Sequence, residues 1–431
     1  MYESYFKHDS LLLMSNLLSP TACRDTFCKQ RTEQLWEAGR EGPVAIQKVA
    51  PVLSKWVCDP RMLRVAWDRM ARRGGKAPGP NGRQYSDLSD DEVWNLLSVI
   101  GKSIQDGQFQ AGPTRLHLIP KDRSDPSRGT RRLTMLNIED RTVQRLIVDL
   151  LQPLIDPLFG TTILGFRPGR DRVDAMALAY KVSESEHRHV WITEDIKNAF
   201  DNVPRSALME VVAKYVPSSE MIELIRRFVD VDGKKRGIPQ GGPLSPLLLN
   251  LYVYHFLERV WLNHSFSEVS LIRAADDILL LCHSSEEAQA TWDLLHSLLG
   301  KAGLLLKHGF EKSTVDLSSG KSTVWLGYRI RKGQSGLETK IATRSWNRLR
   351  GHLELAHEKP DSPLRAIEAI NGWIDQLGPC YAHVKHIRVC KRIAKIATEY
   401  GFTEIPNNEA IRFCWLQAHL RWKKQVTSKI G

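Results

Sequence analysis

Hydrophobic positions along the chain change period several times, and each change marks an element. Residues 1 to about 75 read as helical, with Trp36, Val44, Ile46, Val49, Val52 and Trp56 as the expected buried contacts. The turn-rich run from Gly74 to Gly82 predicts a loop. From Ser89 to Ile104 the stripe Val93, Leu96, Leu97, Ile100 and Ile104 predicts a helix, with Ser89 as its N-cap ahead of acidic residues. Alternation over Arg115 to Pro120 predicts a strand, and a basic turn from Lys121 leads into a second strand at Arg132. Helical spacing returns at Val143, Leu146, Ile147 and Leu150, and again from about Val173 to Ser183. Val190 to Ile192 is strand-like, and Leu247 to Leu257 is an apolar helix. Val269 to Ala274 and Ile278 to Cys282 are two short strands, Glu286 to Leu299 an amphipathic helix, and Leu304 to Lys307 a strand. Beyond Gly333 the pattern predicts helices with basic faces: one from Trp346 through Leu349, Leu353 and Leu355, one through Leu364, Ile367, Ile370 and Ile374, one from Val384 to Ile396, and a tail carrying Trp415, Leu416, Leu420 and Trp422.

Two adjacent carboxylates break the apolar run from Ile272 to Leu281, and the flanking strands put Asp276 and Asp277 at the tip of a hairpin. A solvated Asp-Asp turn is the plain alternative, because Asp favours turns. A second acidic segment changes that balance, since Asp195 falls where the strand begun at Val190 ends. Three carboxylates gathered at one place repel one another unless cations sit between them. Magnesium suits such a set, being a hard ion that takes oxygen ligands and completes its shell with substrate phosphates. Two ions about 3.5–4 Å apart can activate an attacking oxygen and stabilise a leaving one, which is the arrangement for nucleotidyl transfer.

Composition narrows the partners. A chain of 431 residues with 42% hydrophobic content can bury a core and hold two or three modules. Its formal charge of +12 suggests a polyanionic partner, because clustered Lys and Arg release counterions from nucleic acid. Seven scattered cysteines do not form a disulfide framework, so a reducing cytoplasm is the expected location. The apolar stretch Leu11 to Met14 is too short to cross a bilayer, and no membrane association is expected.

The segments Asp195 to Asp201, Gly237 to Pro246 and Ala275 to Asp277, in that order, resemble the palm motifs of reverse transcriptases, and specifically the bacterial group II intron-like branch. The likeness extends outward through Arg115 to Lys121, Arg131 to Arg141 with Gln144, Gly165 to Arg170, and Trp325 to Tyr328. It implies an α+β right-hand polymerase fold: a helical N-terminal region over 1–75, fingers over 76–189, an antiparallel palm over 190–332, and a helical thumb with a basic tail over 333–431. It implies Asp195, Asp276 and Asp277 as catalytic metal ligands, with the Ile196 carbonyl beside them, for two Mg2+ ions or Mn2+. The same resemblance implies Lys121 and Arg132 as contacts for the incoming triphosphate, Phe200 at the steric-gate position that selects deoxynucleotides, and Gln240 with Gly241 in the loop that approaches the nucleotide. Basic residues Arg72, Arg73, Lys76, Lys312, Lys391, Arg392 and Lys395 are matched to nucleic-acid phosphates, and solvated charge is the alternative for each. Asp201 reads as a cap for the helix after Pro204 rather than a ligand, and a simple helix entry with Ser245 and Pro246 as cap and first turn is the alternative to the nucleotide-approaching role of the Gly237 to Pro246 loop.

One position departs from the family. Relatives place an aromatic residue where this chain has Ala274, which leaves the mode of priming open. The expected activity is RNA-directed DNA synthesis from dNTPs, giving cDNA from an RNA template. A free-standing polymerase of this branch resembles the defence-associated (Unknown Group) enzymes, which act against phage with a structured noncoding RNA. Three alternatives stand beside it: a short intron-encoded protein supporting splicing and mobility, a template-independent nucleotidyltransferase, and a non-catalytic RNA-binding scaffold.

Overall fold

A computed structural model of the chain describes residues 20–73, 77–121, 127, 129–264 and 270–428. Among the described residues, nine strands form three antiparallel sheets beside many helices, so the α+β class expected above is the observed one. β1 (Arg115–Pro120) and β2 (Thr130–Met135) make a two-stranded hairpin. The central sheet has the order β4-β5-β3-β6, with β3 Val190–Asp195, β4 Leu271–Ala274, β5 Asp277–Cys282 and β6 Thr314–Asp316. β7 (Ser322–Trp325), β8 (Tyr328–Gly333) and β9 (Gly336–Ile341) form the third sheet.

The central sheet is the partition between two cores. Alternation along β3 and β5 sends Val190, Ile192, Ile278 and Leu280 to one face, where they meet the helices Ile138–Ile155, Ser245–Phe256 and Ser285–Lys301. Trp191, Leu279 and Leu281 go to the other face. There they meet the helix Arg172–Ser185, the β7–β9 sheet and the C-terminal helices. A strand with both faces covered reads as a continuous apolar run, which is why Ile278 to Cys282 shows no polar alternation.

Several expectations are met and several are corrected. Ser89 caps the helix Asp90–Gln105 with a full capping box through Glu92, and Val93, Leu97 and Ile100 are buried. Val44 is 72% exposed instead of buried, because its short helix Pro43–Lys48 turns Ile46 inward. Leu364 is likewise exposed, and Ala366, Ile370, Trp373 and Ile374 make the buried face of the helix Ser362–Asp375. The chain after Gly333 does not go directly into helices: Gly333 and Gly336 flank a turn into β9. Leu304 to Lys307 is no strand, since only Leu306 pairs, in an isolated bridge with Ile196. Trp415 and Trp422 in the tail helix are buried in the C-terminal packing, with Trp415 Nε1 donating to the Leu377 carbonyl at 3.0 Å. Lys76, Val269 and the Leu11 to Met14 stretch lie outside the described residues. No helix among the described residues is long and apolar enough to cross a membrane.

Candidate active site

Strand register brings the acidic segments together. In the β3–β5 ladder Asp195 faces Asp277 as a Cα partner, and Ile196 N–H donates to the Asp276 carbonyl at 3.0 Å. The β4–β5 connection is a two-residue turn of Ala275 and Asp276, because Ala274 already pairs with Asp277. Asp277 therefore opens the strand instead of sharing the tip, a one-residue correction that places it directly across from Asp195. Ala275 has φ +64°, a conformation that costs an L-residue roughly 1–2 kcal/mol. The turn is also pressed from below: a Cβ on Gly165 would stand 2.0 Å from the Ala275 nitrogen.

Electrostatics at this corner follow from the crowding. Burial and then the neighbouring Asp276 and Asp195 carboxylates push the Asp277 carboxyl up to about 7. Burial and Asp195 also raise the Asp276 carboxyl, against the opposing pull of Arg131 and Arg344. Lys307 answers part of the charge, with Nζ 3.1 Å from Asp195 Oδ2 and its backbone N–H donating to the Asp195 carbonyl at 3.0 Å. On the other side of β3, buried Glu194 accepts from Asp195 N–H at 2.8 Å, His308 N–H at 3.2 Å and Ser313 Oγ at 2.6 Å. The end of β3 is thus fixed from both sides.

The donor chemistry fits a hard divalent cation: three carboxylates and nearby backbone carbonyls, with no sulfur or imidazole among them. Among the described residues no three His, Cys, Asp or Glu side chains already converge as a metal cluster. The register supplies proximity, while Lys307 serves as the counter-ion of Asp195.

The other expected site residues fall in three places. Gln240 and Gly241 lie against the β1–β2 hairpin, with Thr134 N–H donating to the Gln240 carbonyl at 2.6 Å. Gly241 has φ +131°, and a Cβ there would stand 2.7 Å from the Thr134 carbonyl oxygen. Ser245 does not cap its helix; its hydroxyl donates to the Pro239 carbonyl at 2.5 Å and ties down this same loop. Phe200 packs edge-on to Phe166, with ring centroids 6.1 Å apart. Asp201 does not cap the following helix, which begins after Pro204 without a side-chain cap; it sits exposed in the short helix Ala199–Asn202.

Lys121 and Arg132 are exposed on the hairpin. Arg131 is the hairpin residue whose charge reaches Asp276, and pleating directs its neighbour Arg132 to the opposite face. Arg72 is exposed and donates to the Asp68 carbonyl, Arg73 ends the helix Pro60–Arg73, and Lys312 is exposed in the short helix Phe310–Ser313. On the helix His386–Glu399, Lys391 is exposed, Arg392 stacks 4.2 Å from the Trp346 ring centroid, and Lys395 sits 4.0 Å from Glu399. Arg131, Lys307 and Arg344 were not singled out from sequence. Lys307 was findable only through the Ile196–Leu306 bridge, and Arg344 only through the return of the chain after β9.

The family model described as reverse transcriptase (RNA-dependent DNA polymerase) matches residues 119–330, which contain every element of this corner except Arg344. Over that domain-sized stretch, just under half of the sequence, the chain is similar to reverse transcriptases. The domain is similar to the group II intron-encoded protein LtrA of Lactococcus lactis subsp. cremoris, 26% identical over 220 residues, or 48% of this chain and 35% of that protein. Protein YkfC of Escherichia coli is 25% identical over 240 residues, 53% of this chain and 60% of that protein. A 91 kDa protein in the cob intron of Schizosaccharomyces pombe is 29% identical over 180 residues, 40% of this chain and 22% of that protein. The chain therefore spans less than two thirds of the length of each of these curated relatives. Among solved structures, apo telomerase from Candida tropicalis aligns with a TM-score of 0.44 at 13% identity, over 78% of this chain and 72% of that one.

Proposed function

We propose that the chain is an RNA-directed DNA polymerase that copies an RNA template from dNTPs at the Asp195, Asp276 and Asp277 corner. The observation that carries this reading is the pairing of Asp195 with Asp277 across β3 and β5, with Asp276 in the adjoining turn, inside the stretch similar to reverse transcriptases. The three carboxylates, with the Ile196 carbonyl, would hold magnesium or manganese. Two such ions supply charge neutralisation for the triphosphate and activation of the attacking hydroxyl.

The chain's own residues do the rest. Arg131, Lys307 and Arg344 put positive charge around the acidic corner, where it favours a bound triphosphate. Lys121 and Arg131 meet phosphate from the hairpin, while Arg132 is turned to its opposite face. Phe200 closes the floor of the sugar site, where a bulky ring excludes a 2′-hydroxyl. Gln240 and Gly241 bring backbone close to the nucleotide. Around this centre we assign fingers to 76–189 and a palm that runs on through β9 to Ile341, which moves the start of the thumb past 333. The N-terminal helices, and Arg72, Arg73, Lys76, Lys312, Lys391, Arg392 and Lys395, serve template and primer phosphates.

The test is primer extension on a defined RNA template with dNTPs and Mg2+. Native protein extends the primer, and Asp276→Ala lowers incorporation more than about 100-fold, beyond the range for residues that only support metal ligands. Full biological activity of Asp276→Ala would sink the enzymatic reading in favour of a scaffold. Products unrelated to the template would favour untemplated addition.

The finer placement, in antiviral defence with an associated structured noncoding RNA, rests on resemblance to that branch, while the relatives described above include intron-encoded proteins. Sequencing RNA and cDNA that copurify with the chain separates the two, since an intron-encoded role returns intron sequence. The described free cysteines, Cys58, Cys282, Cys380, Cys390 and Cys414, support a reducing compartment such as the cytoplasm. Ala274, in place of the usual aromatic, supports an unusual start to synthesis, and unchanged primer preference in Ala274→Tyr would remove that idea.

A further inference from the structure

Arg273 sits one residue before Ala274, in the middle of an apolar strand, and is 0% exposed. Its guanidinium reaches three acceptors. Nη1 donates to the Ala275 carbonyl at 2.9 Å and to Asn250 Oδ1 at 2.9 Å, and Nε donates to Glu258. Asn250 continues the chain of contacts, donating from Nδ2 to the Gly165 carbonyl at 2.7 Å. The Arg273 backbone is held as well, by N–H donation to Thr162 and by acceptance from Leu164 N–H at 2.8 Å. All of these groups converge beneath one turn, the one that carries Asp276 and leads into Asp277.

Stability is a poor explanation for this arrangement. A buried ion pair often contributes no more than apolar residues of the same volume, because desolvation offsets the attraction. This pair is incompletely satisfied too, since Arg273 Nη2 and Glu258 Oε2 are buried without hydrogen-bond partners. An apolar side chain could fill the same space. It could not hold the Ala275 carbonyl.

That carbonyl belongs to the residue under strain. Ala275, at φ +64°, needs something to keep it from relaxing toward negative φ, and relaxation would rotate the Asp276 peptide that joins it to Ile196. We propose that Arg273, fixed by Glu258 and Asn250, is a positioning residue that pins the strained Ala275 turn so that Asp276 and Asp277 meet Asp195 in metal-binding order. The inference deepens the polymerase reading and rests on it for its catalytic consequence. Its structural consequence, tighter divalent-ion binding, is measurable without catalysis.

The decisive comparison sets native protein beside Arg273→Met/Glu258→Leu, and beside the same pair carrying Ala275→Gly. Replacing both ions by apolar residues removes the pin without leaving a lone buried charge. The first variant stays folded, binds Mn2+ more weakly by thermal shift, and needs more Mg2+ for half-maximal primer extension. Its kcat falls about 10–100-fold, as for other groups that support metal ligands, while KM for dNTP changes by less than about threefold. Glycine takes positive φ without a Cβ penalty, so Ala275→Gly restores most of the metal-induced shift and of kcat. If the folded double variant keeps kcat and the metal shift within about twofold of native, below the 10-fold floor for such groups, the pin does not exist. Should that variant fail to fold, Arg273→Lys is read the same way, because an ammonium keeps the charge but cannot span the three acceptors in a planar fork. Native protein that extends no primer overturns the polymerase reading, and the metal shift across these chains still decides the pin.

Discussion

The acidic corner and the β1–β2 hairpin face the same space and are built on opposite plans. β3 and β5 are buried on both faces, between two cores, and the Asp195 N–H, the Asp195 carbonyl and the Ile196 N–H are held by Glu194, Lys307 and Asp276. The hairpin has neither core. Leu116 and Leu118 on β1 are 49% and 55% exposed, and a two-stranded ribbon in water is marginal on its own. What joins it to the rest is its base at Gly112 and Asp140 and its seam with Gln240 and Gly241. Groups that must keep a fixed spacing stand on the over-determined element, with Lys307 tied to it, while Lys121 and Arg131 stand on the loosely held one. That difference teaches where precision is needed and where reach is.

The sharpest way to break the comparison is to show that the corner is built for stability rather than for chemistry. Asp277→Asn should lower primer extension more than about 100-fold while leaving the thermal midpoint unchanged or higher, since it relieves like-charge crowding under the turn. A variant that loses both together contradicts the assignment. Gly165→Ala comes next: its Cβ cannot avoid the Ala275 backbone, so urea unfolding should report a loss of about 3 kcal/mol or more.

The base of the hairpin gives a pH test. Burial, opposed by hydrogen bonds from Gly112 N–H, pushes the Asp140 carboxyl up from 3.8 to about 6. The folded chain therefore binds the proton more tightly than the unfolded chain. This contribution is fully present below pH ~4 and is lost as pH rises through about 6, by at most about 3 kcal/mol. Asp140→Asn should flatten that slope in denaturation curves taken across the window, and an unchanged slope would place its cause elsewhere. The smallest effect is at the seam. Gly241→Ala should push β2 away and cost about tenfold in kcat/KM for dNTP, equivalent to roughly 1.4 kcal/mol, with little change in melting.

Much of this was legible from residue order alone. The capping box at Ser89 and Glu92, the helix beginning near Leu247 and the convergence of Asp195 with the Asp276–Asp277 hairpin all follow from local period or motif. What escaped was non-local. Arg273 looked like an ordinary strand residue, because charged side chains are seldom fully buried unless paired, and its partners lie at 250 and 258. Lys307 depended on a single bridge to Ile196, and β9 was hidden by charged residues and by glycines that read as the end of a domain. Trp415 and Trp422 stand among basic residues in the sequence yet turn inward toward Leu377 and Tyr180, partners too distant along the chain for local period to show.

The knot of Gly165, Asn250, Glu258 and Arg273 has a bearing on how such sequences can be shuffled. These four amino acids are drawn from three separate stretches of the polypeptide, yet they are joined in one set of contacts, so a change at one is felt by the others. Chimaeras with crossovers between 165 and 250, or between 258 and 273, would mix halves of this lock from different parents. Recombination that keeps the three stretches together preserves it.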